Sequence, residues 1–208
     1  MTRTSFPRVA ALSAALAASA LLSACAPLLL GGAMVGTSLV VVDRRTSGTQ
    51  VEDQTIELKS LTRIRETIGD RGHVNATSYS RMVLLTGEVP TEGDKAAIEQ
   101  NIARIENVRS IVNELAVMGS TSLTGRSNDT ILTSKVKASY VDAKDLQANA
   151  IKVVTERGTV YLLGRVTERE ADRAAEIARG VSGVQKVVRV FEVITEAELA
   201  DLQPKQTK

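Results

Sequence analysis

The sequence contains few aromatic residues and a single cysteine. Aromatic residues make up 2% of the 208 residues, and there is no tryptophan. A core must therefore be built from Val, Ile, Leu and Ala, which suits small domains that support each other by contact. One cysteine excludes an intramolecular disulfide, so cysteine pairing says nothing about the compartment in which the protein works.

Residues that carry enzymatic chemistry are also sparse. His73 is the only histidine, and no cysteine or carboxylate cluster stands at ligand spacing from it. We therefore expect no metal site and interpret His73 as a surface residue at the start of a strand. No nucleophile stands beside a base, so we predict neither an enzyme nor a small-molecule substrate. Gly87 and Gly164 are single glycines at strand ends, where we expect close packing and not a phosphate loop.

The balance of charge is close to neutral. The chain has 26 basic and 24 acidic residues, but Arg3 and Arg8 lie in a segment that we predict to be removed. Without these two, 24 basic residues face 24 acidic ones. A neutral balance argues against a nucleic-acid partner, which needs a concentrated basic surface. Attraction to an anionic membrane would have to come from a local patch.

The first residues have the pattern of a lipoprotein signal. Residues 1–24 contain two arginines followed by an apolar run that is too short to span a bilayer comfortably. The sequence Leu22-Ser23-Ala24-Cys25 then resembles a bacterial lipobox. This resemblance implies that Cys25 becomes the first residue and carries three acyl chains, which would anchor the protein stably. The following residue is Ala26 and not Asp, which by the same resemblance favours the outer membrane.

Residues 25–52 are predicted to be a lipid-anchored tether and linker. The segment 26–42 is apolar and 17 residues long, at the lower limit for a transmembrane helix. Gly31, Gly32 and the β-branched residues 40–42 weaken a helix. We interpret the segment as a tether on the membrane or against a partner. An inner-membrane span through Leu28–Val42 stays open as an alternative. The polar stretch Thr46–Glu52 is predicted to be a linker.

The rest of the chain contains an internal repeat. Two segments, 74–117 and 151–193, align with a shift of 77 positions through the hairpin and 76 after Pro90. A constant shift with one single-residue change at a loop indicates two copies of one small domain. The aligned hairpin positions are Val74, Ala76, Val83, Leu85, Gly87 and Val89 with Ile151, Val153, Val160, Leu162, Gly164 and Val166.

Each copy has the pattern of helix, hairpin, helix and strand. In the first helix of copy one, a face of Ile56, Leu61, Ile64 and Ile68 is predicted to be buried. In copy two, Asn128-Asp129 is predicted to cap a helix that buries Leu132, Val136 and Tyr140. Later helices begin at Thr91 and at the capping box of Thr167 and Glu170. We predict an α+β protein with two αββαβ domains, at 53–118 and 128–194, a linker at 119–127 and an irregular tail at 195–208. Each domain has a three-stranded mixed sheet on two helices.

Both copies resemble the BON domain. An Asp opens each first helix at Asp53 and Asp129, glycine follows the second strand at Gly87 and Gly164, and valine precedes the third at 108 and 184. With the lipobox, the pattern is similar to that of dual BON-domain outer-membrane lipoproteins of Gram-negative bacteria. The resemblance implies a protein on the periplasmic face that binds anionic phospholipid, mainly through the second BON domain, and supports outer-membrane integrity.

The first helix of copy two carries the predicted lipid contacts. Ile131, Lys135 and Ala138 lie at i, i+4 and i+7, and Lys137 lies at the edge of that face. An exposed Ile131 would enter the headgroup region while the lysines meet phosphates. The alternative is that Ile131 belongs to the edge of the core and the lysines are ordinary solvated charge. Membrane-binding BON helices often carry an aromatic residue near this point, and this chain has Ile131. The other functional hypothesis is an adaptor whose BON surfaces bind envelope proteins.

Overall fold

The computed structural model describes residues 43–202, which form two copies of one α+β unit. Copy one contains α1 (Ser47–Ile68), β1 (His73–Tyr79), β2 (Met82–Val89), α2 (Glu92–Ala103), β3 (Ser110–Asn113) and β4 (Ala116–Val117). Copy two contains α3 (Leu123–Asp142), a short 3₁₀ helix (Ala148–Ala150), β5 (Ile151–Glu156), β6 (Thr159–Val166), α4 (Glu168–Gly180) and β7 (Lys186–Val193). A last helix, α5, spans Glu196–Leu202. The predicted signal peptide, Cys25 and the apolar segment 26–42 lie outside the described residues.

Strand pairing is the same in both copies. β1 and β2 form an antiparallel hairpin, and β3 with its continuation β4 runs parallel to β2. β5, β6 and β7 repeat this arrangement. Val83 opposite Ile111 in copy one corresponds to Val160 opposite Val187 in copy two. The predicted α+β fold, with a three-stranded mixed sheet and two helices in each copy, is confirmed.

Each sheet packs one face on its own two helices. In copy one this core is aliphatic and includes Val83, Leu85, Ile98 and Ile102. In copy two the predicted small residues of α4 are all buried, so that the helix lies close to the sheet: Ala171, Ala174, Ala175 and Ala178. The expected capping box of α4 is present. The Thr167 hydroxyl accepts a hydrogen bond from the Glu170 backbone amide, and the Glu170 carboxylate accepts one from the Thr167 backbone amide.

The other faces of the two sheets pack against each other. Tyr79 and Leu84 from copy one meet Tyr161, Leu163 and Val190 from copy two in a separate buried cluster. The order of layers is therefore helices, sheet, sheet, helices. The copies touch, as their short connection predicts, and they share this third core.

Polar contacts join the copies at one end of the sheet pair. Glu88 in β2 is fully buried and accepts a hydrogen bond of 2.6 Å from the hydroxyl of Thr121. The guanidinium Nε of Arg157, from copy two, lies 3.7 Å from the same carboxylate. The buried charge of Glu88 thus has partners from both the connection and the second copy.

Both first helices begin earlier than predicted. Thr46 caps α1 and Ser122 caps α3, each by accepting a hydrogen bond from the backbone three residues on. The prediction of a linker over Thr46–Glu52 is wrong, and so is the prediction that Asn128-Asp129 caps the second helix. Ser, Thr and Gly are weak helix formers, but packing of the later turns overrides that preference.

Two smaller predictions also fail. Leu61 does not belong to the buried face of α1, because its side chain is 42% exposed and Ser60 is buried in its place. Residues after Thr195 are not an irregular tail throughout, since α5 forms there and buries Leu199. Thr195 accepts from the backbone of Glu198 and so starts this helix.

Gly87 and Gly164 lie where another chain segment passes closely. A Cβ atom added to Gly164 would overlap the carbonyl oxygen of Ala150, and one added to Gly87 would overlap that of His73. Gly87 also has a φ of +114°, which side chains rarely tolerate. Both glycines therefore allow the edge strand to approach the central strand of each sheet.

We expect Gly164→Ala to lower the free energy of unfolding by about 1–3 kcal/mol, because the added methyl group forces backbone to move. Gly180→Ala is the matched control, since nothing lies within 4 Å of a Cβ at that exposed helical position. The control should be unchanged or slightly more stable. Urea unfolding of residues 43–202 measures both, and an equal effect of the two changes would contradict the close approach.

Candidate membrane-contacting surface

The orientation of α3 is fixed by its buried side. Leu132, Val136 and Tyr140 are buried as predicted. The Tyr140 hydroxyl donates a 3.0 Å hydrogen bond to the backbone carbonyl of Ala174 in α4. Burial raises the pKa of Tyr140 far above its ordinary value, so this group stays a neutral donor. The helix cannot rotate without breaking these contacts, so its outward face is defined.

All four predicted lipid-contact residues lie on the exposed side of α3. Ile131 is 54% exposed, which favours the wedge over the edge of the core. Lys135, Lys137 and Ala138 are exposed as well. Whether they contact lipid stays a prediction, but their side chains are accessible to a membrane surface.

Two further apolar residues of α3 are exposed and were not predicted. Leu123 is 78% exposed and Val141 is 73% exposed. At about 100° per residue they fall on the side of the helix opposite Val136, next to Ile131. The predicted linker at 119–127 places Leu123 outside the helix, and its position beside Ile131 follows only from the helix start after Ser122. We call the side chains of Leu123, Ile131, Lys135, Ala138 and Val141 the outward face of α3.

Most charged residues of α3 are basic. From Leu123 to Asp142 the helix has three basic residues and two acidic residues, Asp129 and Asp142. Asp129 is buried and points away from the outward face, because its two carboxylate oxygens accept from the backbone amides of Arg157 and Gly158 at 2.8 and 2.9 Å. Around Ile131 the outward face therefore presents exposed apolar groups and the ammonium group of Lys135, and the exposed carboxylate of Asp142 lies at the C-terminal end of the helix.

Copy one has the same contact between a buried Asp of the first helix and the hairpin turn, which we call the clamp. Asp53 accepts from the backbone of Ser80 and Arg81 at 2.8 Å, in the turn that matches Arg157-Gly158. These turn residues all have positive φ, as a two-residue hairpin turn requires. The buried Asp that each helix carries is thus a structural residue that holds the hairpin turn.

Aligning the two clamps shows where the copies diverge. With Asp53 placed on Asp129, the positions of Ile131, Lys135 and Ala138 hold Thr55, Lys59 and Thr62. From residue 51 to 66, α1 also carries Glu52, Glu57 and Glu66. The exposed apolar residues of α1 lie elsewhere on the helix: Val51, Leu58 and Leu61. Copy two thus has the apolar Ile131 where copy one has Thr55, and its first helix has one exposed acidic residue, Asp142.

A cavity opens beside the outward face of α3. Its volume is about 410 Å³, and its lining includes Ile131, Lys135, Gly158, Gly183 and Gln185. The cavity lies between α3, the β5–β6 turn and the loop before β7. It offers polar groups beside the ammonium group of Lys135.

Among residues 43–202, no helix is both long enough and apolar enough to cross a membrane. Within the same range, no three His, Cys, Asp or Glu side chains are grouped closely enough to hold a metal ion. His73 is half-buried, and burial lowers its pKa. Its ring nitrogen lies 3.2 Å from the amide nitrogen of Asn75.

A search against protein-family models matches the BON domain twice, at residues 52–119 and 128–195. The outer membrane lipoprotein DolP of Haemophilus influenzae is 38% identical over 182 residues, which cover 86% of this chain and 93% of that protein. The 21 kDa hemolysin of Actinobacillus pleuropneumoniae is 32% identical, over 74% of this chain and 80% of that protein. The chain belongs to the BON family, and the similarity supports the predicted class of dual BON-domain outer-membrane lipoproteins.

More distant similarities add little. The osmotically inducible protein Y of Escherichia coli is 28% identical over 67% of this chain and 72% of that protein. Among solved structures, CdsD, described as a structural protein of the type III secretion system of Chlamydia trachomatis, matches with 12% identity and a TM-score of 0.29. That match covers 71% of this chain and 99% of that chain, and at such a score it carries no argument about function.

We expect Asp129→Asn to lower the free energy of unfolding by about 1–3 kcal/mol, because one of the two accepting oxygens becomes an NH2 group that faces a backbone N–H. Asp142→Asn, at the exposed end of the same helix, should stay within about 0.5 kcal/mol of the parent. Thermal or urea unfolding of residues 43–202 measures the stability of both variants and of the parent. Equal stability of the Asp129 variant and the parent would show that the clamp is dispensable.

Proposed function

We propose that this protein is a lipoprotein anchored through Cys25 to the periplasmic face of the outer membrane, where it binds anionic phospholipid through α3 and supports envelope integrity. The lipobox-like sequence before Cys25 and the similarity to an outer membrane lipoprotein support the anchor and its location. The anchored body then works beside a membrane from the start, so a weak second contact is sufficient.

The outward face of α3 is the observation that carries the lipid-binding part of the proposal. Each cation near an anionic surface contributes about 1 kcal/mol. Full burial of an aliphatic side chain contributes about 1.5–3 kcal/mol, and shallow insertion of Leu123, Ile131 and Val141 would supply part of that each. Together these contributions give α3 a moderate affinity for the membrane, which depends on anionic lipid and on the anchor holding the protein nearby.

The second candidate is an adaptor that binds envelope proteins. Its support is the exposed apolar group on α1, where Leu58 and Leu61 border a cavity of about 450 Å³ together with Glu57. The cavity lining has no basic residue, and its acidic residue, Glu57, pairs with Lys152 at 2.9 Å. A surface without free cations gains no attraction to an anionic membrane. Copy one therefore suits a protein partner better than it suits lipid.

The test is binding of residues 43–202 to vesicles with and without anionic phospholipid. The fragment must begin at Asp43 because α1 already starts at Ser47. We expect binding only to the anionic vesicles, with an affinity that falls as salt rises. Lys135→Glu should weaken binding at least about fivefold, since one favourable cation is lost and a repulsive charge is added.

Lys59→Glu is the matched control, because Lys59 occupies the position in α1 that Lys135 occupies in α3. Its binding should be close to that of the parent. Salt-insensitive binding to neutral and anionic vesicles alike would contradict the proposal. A specific partner crosslinked to copy one in cells, and retained when Lys135 and Lys137 are both changed to Glu, would favour the adaptor. Mature protein without a triacylated Cys25 would favour the inner-membrane span through Leu28–Val42.

A further inference from the structure

Residues 43–45, just before the capping residue of α1, connect distant parts of the chain. Arg44 inserts into copy two, where its two terminal nitrogens donate to the two carboxylate oxygens of Glu170 at 2.7 and 2.8 Å. The same guanidinium donates to the backbone carbonyl of Arg165 at 2.8 Å and to the side chain of Gln147 at 3.1 Å. The Arg44 side chain is only 2% exposed.

The next residue binds the other copy. Arg45 donates to Asp53 at 2.8 Å and to Asp43 at 2.6 Å. Its guanidinium also lies 4.3 Å above the ring of Tyr79, within range of a cation–π contact. Neighbouring arginines thus bind opposite copies, and we call Arg44 and Arg45 with Glu170 and Asp53 the clip.

The Arg44–Glu170 pair is a buried ion pair with further hydrogen bonds and not a chance surface contact. Glu170 also accepts from the backbone amide of Thr167 at 3.0 Å as part of the helix cap. Burial alone would raise the pKa of Glu170, but the hydrogen bonds from Arg44 and from the Thr167 amide, together with the charge of Arg44, lower that pKa. Paired guanidinium and carboxylate groups of this kind leave a costly buried charge when one partner is removed.

The clip lies where the chain leads toward Cys25. Asp43 lines a cavity of about 370 Å³ together with Lys137 and Val141 from the last turns of α3. The route to the lipid anchor therefore leaves the folded body beside the end of α3. Arg44 and Arg45 hold residues 43–45 in place, so the described chain begins at a fixed point beside the end of α3.

We propose that the clip fixes the point at which the lipid tether leaves the body, and that it thereby turns the outward face of α3 toward the membrane that holds the anchor. Arg44 and Glu170 act as positioning residues and need not touch lipid. The orientation rests on the proposed lipid contact of α3, whereas the fixed exit of the tether is independent of that contact.

Trypsin tests whether the exit is fixed, because it cuts after Arg44 and Arg45 only when these side chains leave their partners. The full lipidated chain in detergent micelles should resist both cuts, as read by intact mass spectrometry. Glu170→Gln should be cut at least about tenfold faster, since the remaining buried charge favours local opening. Arg44→Gln should also be cut faster, after Arg45, and it leaves the helix cap of Glu170 intact.

Glu168→Gln is the matched control. Glu168 lies on the same turn of α4, is exposed and pairs with Arg189 instead of the clip. It should be cut at the rate of the parent. Equal rates for the parent and the Glu170 variant would overturn the clip, and so would equal acceleration by the Glu168 change.

A fluorescent label on Ser134→Cys tests the orientation, because Ser134 is exposed on α3. The full chain is anchored in vesicles of anionic phospholipid that contain nitroxide-labelled lipid. Quenching should be present in the parent, and Arg44→Gln should abolish most of it. Quenching that is present and equal in both would overturn the orientation. No quenching in either, with tryptic resistance intact, would refute the lipid contact of α3 and leave the fixed exit standing.

Discussion

The face-to-face packing of the two sheets determines the rest of the structure. Each small domain covers one sheet face with its own helices and has too few residues to cover the other. The uncovered faces bury each other, through Tyr79 and Leu84 in one copy and Tyr161 and Leu163 in the other. Because the sheets occupy the centre, the helices lie outside, and the outward face of α3 stays free for a partner.

The two copies keep the same scaffold and differ on the surface. The buried Asp that holds the hairpin turn, the strand pairing and the close approach at Gly87 and Gly164 serve both folds. The outer positions of the first helix are exposed and take no part in these scaffold contacts. In copy two these positions hold Ile131, Lys135 and Ala138, and in copy one they hold Thr55, Lys59 and Thr62, so the two copies present different outer surfaces.

The sequence predicts those parts of the fold that depend on local pattern. The alternation of the hairpins and the capping box at Thr167 and Glu170 can be read directly, and the repeat supports each assignment twice. The apolar runs at 82–85 and 160–163 also indicated strands buried on both faces, and this signal was missed. The true start of α3 was hidden because its first turn is rich in Ser, Thr and Gly, which left Leu123 out of the candidate site. Arg44 and Glu170 are 126 residues apart, and no local pattern joins them.

The central claim is that α3, and not its counterpart α1, meets an anionic membrane. Nuclear magnetic resonance of residues 43–202 with phosphatidylglycerol micelles that contain nitroxide lipid tests it residue by residue. We expect signal loss to be concentrated between residues 123 and 141 and strongest near Ile131, while the amides of α1 keep their intensity. Equal loss along α1 and α3, or loss confined to α1, would contradict it.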